Sequence, residues 1–178
     1  MNNQKILHPM VLAAVAAMLL VGCGQKDMQT QTESEITQTV EQNETEPAQS
    51  VQTIEEGESL VLPVSELSET VQFYPIEVDG TEMEVLAVKD SEGYIRTAFN
   101  TCQVCYDSGK GYYVQDGNEL ICQNCGNRFT VDQVEVQSGG CNPWPIFPDD
   151  KTVTEEEVSI SYDFLKESAS IFENWKRG

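Results

Sequence analysis

The sequence predicts a mainly β fold: a small hairpin and sheet domain with two Cys-x-x-Cys metal-binding loops, followed by a C-terminal α-helix. Three observations carry this. Apolar and polar residues alternate on either side of turn signals at Asp79-Gly80 and Asp116-Gly117-Asn118, the pattern of strands joined by hairpins. Cys102, Cys105, Cys122 and Cys125 form two Cys-x-x-Cys pairs separated by residues 106–121, a length that lets one hairpin bring both pairs to one place. Phe164, Leu165, Ser168, Ile171, Phe172 and Trp175 recur at helical spacing.

Taken in order, residues 1–22 read as a lipoprotein signal peptide. Lys5 is followed by an apolar run from Met10 to Val21, which is short for a membrane span and suits a secretory leader. Leu20-Val21-Gly22-Cys23 resembles a bacterial lipobox, so Cys23 is the expected lipidation site and new N-terminus, anchoring the protein to the membrane on its extracytoplasmic side. An uncut signal anchor is the alternative. Residues 23–58 are expected to form the lipidated N-terminus and a disordered acidic tether. From residue 24 on, nine acids face the single Lys26, with only isolated apolar residues such as Ile36, Val40 and Val51. Such a segment buries too little to order itself, and its like charges extend it.

Residues 59–178 are expected to form the folded domain, with length enough for a modest core. Phe73, Ile76 and Val78 lead into the Asp79-Gly80 turn, and Met83, Val85 and Ala87 continue the alternation after it. A third strand, Gly93 to Phe99, delivers the chain to Cys102. Gly111-Tyr112-Tyr113-Val114 and Glu119-Leu120-Ile121 flank the second turn and join the two cysteine clips. The aromatic stripe of the terminal helix reads as core packing.

The clips point to a metal. Each Cys-x-x-Cys places two sulfurs on one side of a tight loop, where backbone N–H groups can stabilise thiolate charge. Gly126, directly after Cys125, suits the positive φ of a rubredoxin or zinc-ribbon knuckle, whereas Tyr106 holds the equivalent place in the first clip. Gly139-Gly140 before Cys141 and Asn142-Pro143-Trp144-Pro145 after it suggest a close-packed loop bringing a fifth sulfur near. Trp144 would either shield the site from water or pack as ordinary core. Tyr112 and Tyr113 could screen the centre, but on a strand one of them must face away. Arg128 and Lys110 could offset thiolate charge, although a surface role suits each.

Other chemistry is less favoured or excluded. Disulfides between residues i and i+3 are strained, and five cysteines remain once Cys23 is lipidated, an odd number. Neither clip precedes a helical pattern, as a thioredoxin-type dithiol requires, or a histidine, as covalent haem requires. The single histidine, His8, lies in the signal segment, so any metal site is all-sulfur and no Ser-His-Asp arrangement is available. A net charge of -20 argues against nucleic acid and anionic lipid as partners. Tetrathiolate binding satisfies zinc, a single iron or a two-iron cluster alike, and on spacing alone structural zinc leads.

The run FYPIEVDGTEMEVLAVKDSEGYIRTAFNTCQVC, then GYYVQDGNELICQNCGNRF and GGCNPWPI, resembles the FtrD-like membrane iron-sulfur family from about Phe73 to Ile146. The resemblance implies an iron-sulfur or metal centre on Cys102, Cys105, Cys122 and Cys125, with Cys141 in the matching third motif. It also implies electron transfer for a membrane iron uptake system, and moves an iron-sulfur cluster or iron ahead of zinc. Better-known members carry several membrane-spanning helices before the cysteine domain. Here a lipid anchor and tether are expected in their place, so a redox partner must reach the outer surface. A weaker likeness is to Rieske domains, whose two loops each give one Cys and one His. Thiolates at all four positions imply a lower potential.

Two function classes stand. One is a lipid-anchored redox or metal-handling protein beside a membrane iron transporter. The other is a non-catalytic surface lipoprotein in which a four-cysteine zinc site is purely structural and supports partner binding.

Overall fold

A computed structural model describes residues 50–177. The expected signal peptide, Cys23 and most of the expected tether lie outside the described residues. The described residues form three small sheets and one short α-helix, the mainly β fold that the alternation predicts.

The largest sheet has five strands: β1 (Gln52–Thr53), β3 (Gln72–Val78), β4 (Thr81–Lys89), β5 (Ile95–Cys102) and β9 (Pro143–Pro145). They lie side by side in that order. Asp79-Gly80 turns β3 into β4 as expected, with Asp79 and Gly80 both at positive φ and Val78 paired with Thr81. A second sheet joins β2 (Ser59–Pro63), β11 (Glu157–Ser161) and β10 (Thr152–Val153). The third is a ribbon of β6 (Tyr113–Asp116), β7 (Glu119–Cys122) and β8 (Arg128–Thr130).

The large sheet is covered on both faces. Ile76, Val78, Met83, Val85, Ala87 and Phe99 pack with Leu60, Leu62, Val158 and Ile160 of the second sheet and with Leu165 and Phe172. Leu86, Val88 and Ala98 pack on the other face with Cys102, Tyr113, Leu120, Cys122 and Phe129. This explains the near-continuous apolar run of β4, since a strand buried on both sides has no solvent face to mark with polar residues. The period of two also sends alternate residues of β5 to opposite sides. Phe99 enters the first core, while Ala98 and Cys102 enter the second. Cys102 therefore leaves the strand on the ribbon side.

The folded chain begins before residue 59. Gln52 and Thr53 pair in parallel with Ile76 and Glu77, and Ile54 is buried with its N–H on the Glu77 carbonyl at 2.9 Å. The boundary moves because an edge strand is held by backbone hydrogen bonds and one buried side chain, which the polar composition of the segment does not reveal.

The terminal helix is shorter than its stripe. An α-helix, α1 (Tyr162–Ser168), starts on the Ser161 hydroxyl, which accepts the Phe164 N–H. It tightens into a 3-10 turn at Ala169–Phe172. The stripe does pack on the core, with Phe172 edge-on to Phe99 at 5.6 Å. Beyond it, residues 174–177 run back as a strap. The Lys176 N–H reaches the Gly109 carbonyl at 2.8 Å, Asn174 donates to Asp107 at 3.0 Å, and Arg177 pairs with buried Glu84 over the Phe73 ring. Only glycine fits beneath the strap at position 109, since a Cβ there would lie 2.2 Å from the Asn174 carbonyl oxygen.

Candidate metal centre

Three loops deliver the five cysteines to one place. The first clip follows β5, the second connects β7 to β8, and the third loop leads into β9. The register between β5 and β9 shifts between Phe99 and Cys102, just before the first clip, and Cys102 is still paired with Pro143 of β9, the pattern of a bulge. Tyr113 pairs directly with Cys122 across the ribbon. The Cys102 N–H bonds to the Gly111 carbonyl at 2.8 Å and the Gln123 N–H to the Tyr112 carbonyl at 2.9 Å. Both clips are thus fastened to the stretch that opens the ribbon hairpin.

The sulfurs form two triangles with a common corner. Those of Cys102, Cys105 and Cys122 lie within 4.8 Å of one another, and so do those of Cys105, Cys125 and Cys141. Thiolates bound to one tetrahedral ion at about 2.3 Å stand about 3.8 Å apart, so either triangle closes on an ion through small side-chain rotations. The inner triangle is buried; in the outer one Cys125 is exposed and Cys141 half-buried. All five are free thiols.

The local chemistry repeats between the clips. Backbone N–H groups of Val104 and Cys105 point at the Cys102 sulfur, and those of Asn124 and Cys125 at the Cys122 sulfur. The Asn127 N–H reaches Cys125 because Gly126, at φ +71°, closes the knuckle with its own N–H on the Cys122 carbonyl at 2.8 Å. Tyr106 cannot adopt that role. The first clip instead enters a 3-10 turn at Tyr106–Ser108, and Cys105 draws its hydrogen bond from the Asn124 side chain of the other clip.

These surroundings divide the thiols. Burial raises the pKa of Cys102, but the Tyr113 hydroxyl and two backbone N–H groups outweigh it and leave the pKa below the ordinary thiol value. Cys125 is also lowered, chiefly by the Asn127 N–H. Burial pushes Cys105 and Cys122 up. Cys141 is pushed up to about 12, first by its hydrogen bond with Cys125 and then by burial. Each clip therefore holds one thiol that ionises readily and one that needs a cation beside it.

Tyr113 is the residue that sequence reasoning undervalued. It is fully buried, its hydroxyl donates to the Cys141 carbonyl at 2.9 Å, and it lies within hydrogen-bond reach of the Cys102 sulfur. One hydroxyl proton serves one of these at a time. Asn100, fully buried on β5, brackets its backbone, accepting the Tyr113 N–H at 2.7 Å and donating to its carbonyl at 3.3 Å. Asn100 also donates to Glu84. Trp144 packs at the margin of the first core and meets Tyr106 edge-on at 5.8 Å, which is ordinary packing. Arg128 is held at the surface by Asp116 and Glu119, and Lys110 is exposed.

Among the described residues no helix is long and apolar enough to cross a membrane. No curated protein and no solved structure matches the chain. A family model, described as membrane iron-sulfur containing protein FtrD-like, matches residues 67–172, which takes in all three cysteine loops, the ribbon and α1. The chain therefore belongs to the FtrD-like family of membrane iron-sulfur containing proteins.

Proposed function

We propose that this is a lipid-anchored extracytoplasmic protein whose cysteine centre holds an iron-sulfur cluster or iron, and that it transfers electrons or handles metal beside a membrane iron transporter. The supporting observation is the convergence of five free thiols from three loops into two triangles that share Cys105. Cys102, Cys105, Cys122 and Cys125 are the ligands in this reading. Residues 1–22 are the signal peptide, Cys23 carries the lipid, and the acidic segment before Gln52 is the tether. When bound, such a centre supplies one-electron chemistry tuned by hydrogen bonds to its sulfurs and by burial. The chain's part is to orient the thiolates through backbone N–H groups, to exclude water from Cys102 and Cys122, and to leave Cys125 at the surface within reach of a partner. The ribbon-type knuckle at Gly126 favours a second reading, in which four thiolates close on a structural zinc.

Anaerobic purification of the full chain, followed by metal analysis and visible absorption, separates the two. Bound iron with thiolate charge-transfer bands supports the first reading, and a colourless protein with one zinc supports the second. A protein that retains neither metal refutes both. Cys122→Ser abolishes metal retention under either reading, and full retention would refute the four-ligand assignment.

A further inference from the structure

The third loop is bolted to both clips. Gln103 of the first clip makes three bonds to it: its N–H to the Asn142 carbonyl at 3.0 Å, its side-chain amide N–H to the Pro143 carbonyl at 3.0 Å, and its side-chain oxygen to the Gly139 N–H at 2.9 Å. From the second clip, the Asn127 side chain donates to the Cys141 carbonyl at 2.9 Å, the same oxygen that Tyr113 reaches. The loop is anchored upstream as well. Glu135, at φ +64°, is buried and takes the Thr97 N–H and hydroxyl, each at 2.8 Å, together with buried Lys151. So extensive a clamp fixes the position of the Cys141 sulfur, yet four other thiols already suffice for a tetrahedral ion.

Where the clamp puts that sulfur indicates its use. Cys141 stands within 4.8 Å of Cys105 and Cys125, the second cysteine of each clip. Those two belong both to the outer triangle and to the four-ligand set of the clips. The inner corners, Cys102 and Cys122, are fully buried, so an ion from solvent meets the outer triangle first.

We propose that Cys141 is the acquiring ligand: an incoming ion is captured by Cys105, Cys125 and Cys141, then passes inward as Cys102 and Cys122 replace Cys141. This rests on the metal-binding reading above. In the capture step three metal–sulfur bonds form as water leaves the ion, and the protons of those thiols go to solvent. In the transfer step the Cys141–metal bond breaks and its sulfur takes back one proton. Cys102 and Cys122 bind and release theirs. No electron moves, and Cys105 and Cys125 hold the ion throughout. Cys141 is thus free in the loaded protein, ready to receive the ion again on release.

The test uses the metal-free, reduced full chain with Cd²⁺ alone as probe, followed by rapid-mixing ultraviolet absorption of the cadmium–thiolate bonds. Cys141→Ser slows uptake on the order of 10-fold, the lower end of what supporting residues contribute at metal sites, and reaches the wild-type final absorbance. Gln103→Ala, which keeps every sulfur and loosens only the clamp, slows uptake in the same direction. In loaded wild-type protein, iodoacetamide labels Cys141 while the other four cysteines of the centre are protected. Uptake by Cys141→Ser at the wild-type rate would overturn the proposal, as would a lower final absorbance or protection of Cys141 in the loaded protein. Should wild-type protein take up no Cd²⁺, the metal-binding reading itself fails.

Discussion

Replacing Asn100 by Ala removes the pin that holds Tyr113 against the metal centre. Three side-chain bonds are lost, to the Glu84 carboxylate, to the Tyr113 carbonyl and from the Tyr113 N–H. The bond to a charged group is worth about 1.5–3 kcal/mol, and the orphaned buried N–H costs about 1–3 kcal/mol. The contact to the carbonyl is long at 3.3 Å and adds little. Glu84 retains Arg177 as a partner, so its charge is not stranded. The sum is about 3–5 kcal/mol, which for a domain of this size lowers Tm by about 12–20 °C at roughly 4 °C per kcal/mol. The assay is a thermal melt of the reduced, metal-free full chain, with the iodoacetamide reactivity of Cys141 measured below the transition. Reactivity rises, because the Tyr113 hydroxyl no longer fixes the Cys141 carbonyl. A Tm within about 4 °C of wild type would refute the argument that this amide is a structural centre. Asn100→Asp keeps the shape but sets a carboxylate against Glu84, so it is at least as damaging at neutral pH if donors, not volume, matter.

Two further outcomes are expected. Lys151→Met strands the buried Glu135 carboxylate with only the Thr97 donors, costing about 3–5 kcal/mol, while Glu135→Gln in the same chain recovers most of it; equal urea midpoints for wild type and the single variant would contradict this. Asp90 is buried, which raises its pKa, but the Tyr94 and Glu92 N–H groups and Arg96 together hold it below the ordinary carboxylate value. Its contribution to stability is therefore full above about pH 4 and lost as pH falls from there through its folded pKa. The urea midpoint of wild type thus falls more steeply in acid than that of Asp90→Asn, and parallel curves would remove Asp90 from the account.

The parts of the fold that the sequence announces are those with a local signature. Asp79-Gly80 and Asp116-Gly117-Asn118 each turn a hairpin where a dipeptide or tripeptide allows positive φ, and the second hairpin does bring the clips together. The second sheet has no such signature: Val158 and Ile160 alternate with polar residues, but Leu60 and Leu62 flank the exposed, apolar Val61, which blurs the period of two. Those two strands lie far apart in the chain, and pairing across such a distance leaves no local mark. Gln52 and Thr53 are hidden for a related reason, being held by a neighbour's backbone. Spacing brings the four clip cysteines and Cys141 to attention, but it cannot order them. That Cys102 and Cys122 lie inside while Cys125 lies outside depends on which face of β5 covers the ribbon. In the sequence Tyr113 is one of two adjacent tyrosines with equal claims, and only the strand pairing turns one inward.

The strap of residues 174–177 has a consequence in time. A growing chain that has emerged as far as Cys141 already carries every sulfur of the centre, yet the turn at Tyr106–Ser108 and the Gly109 carbonyl have no cover until Asn174, Lys176 and Arg177 follow. That side of the first clip is thus covered by chain made after every sulfur of the centre. A nascent protein passes through an interval in which all five thiols are present but one side of their housing has yet to follow.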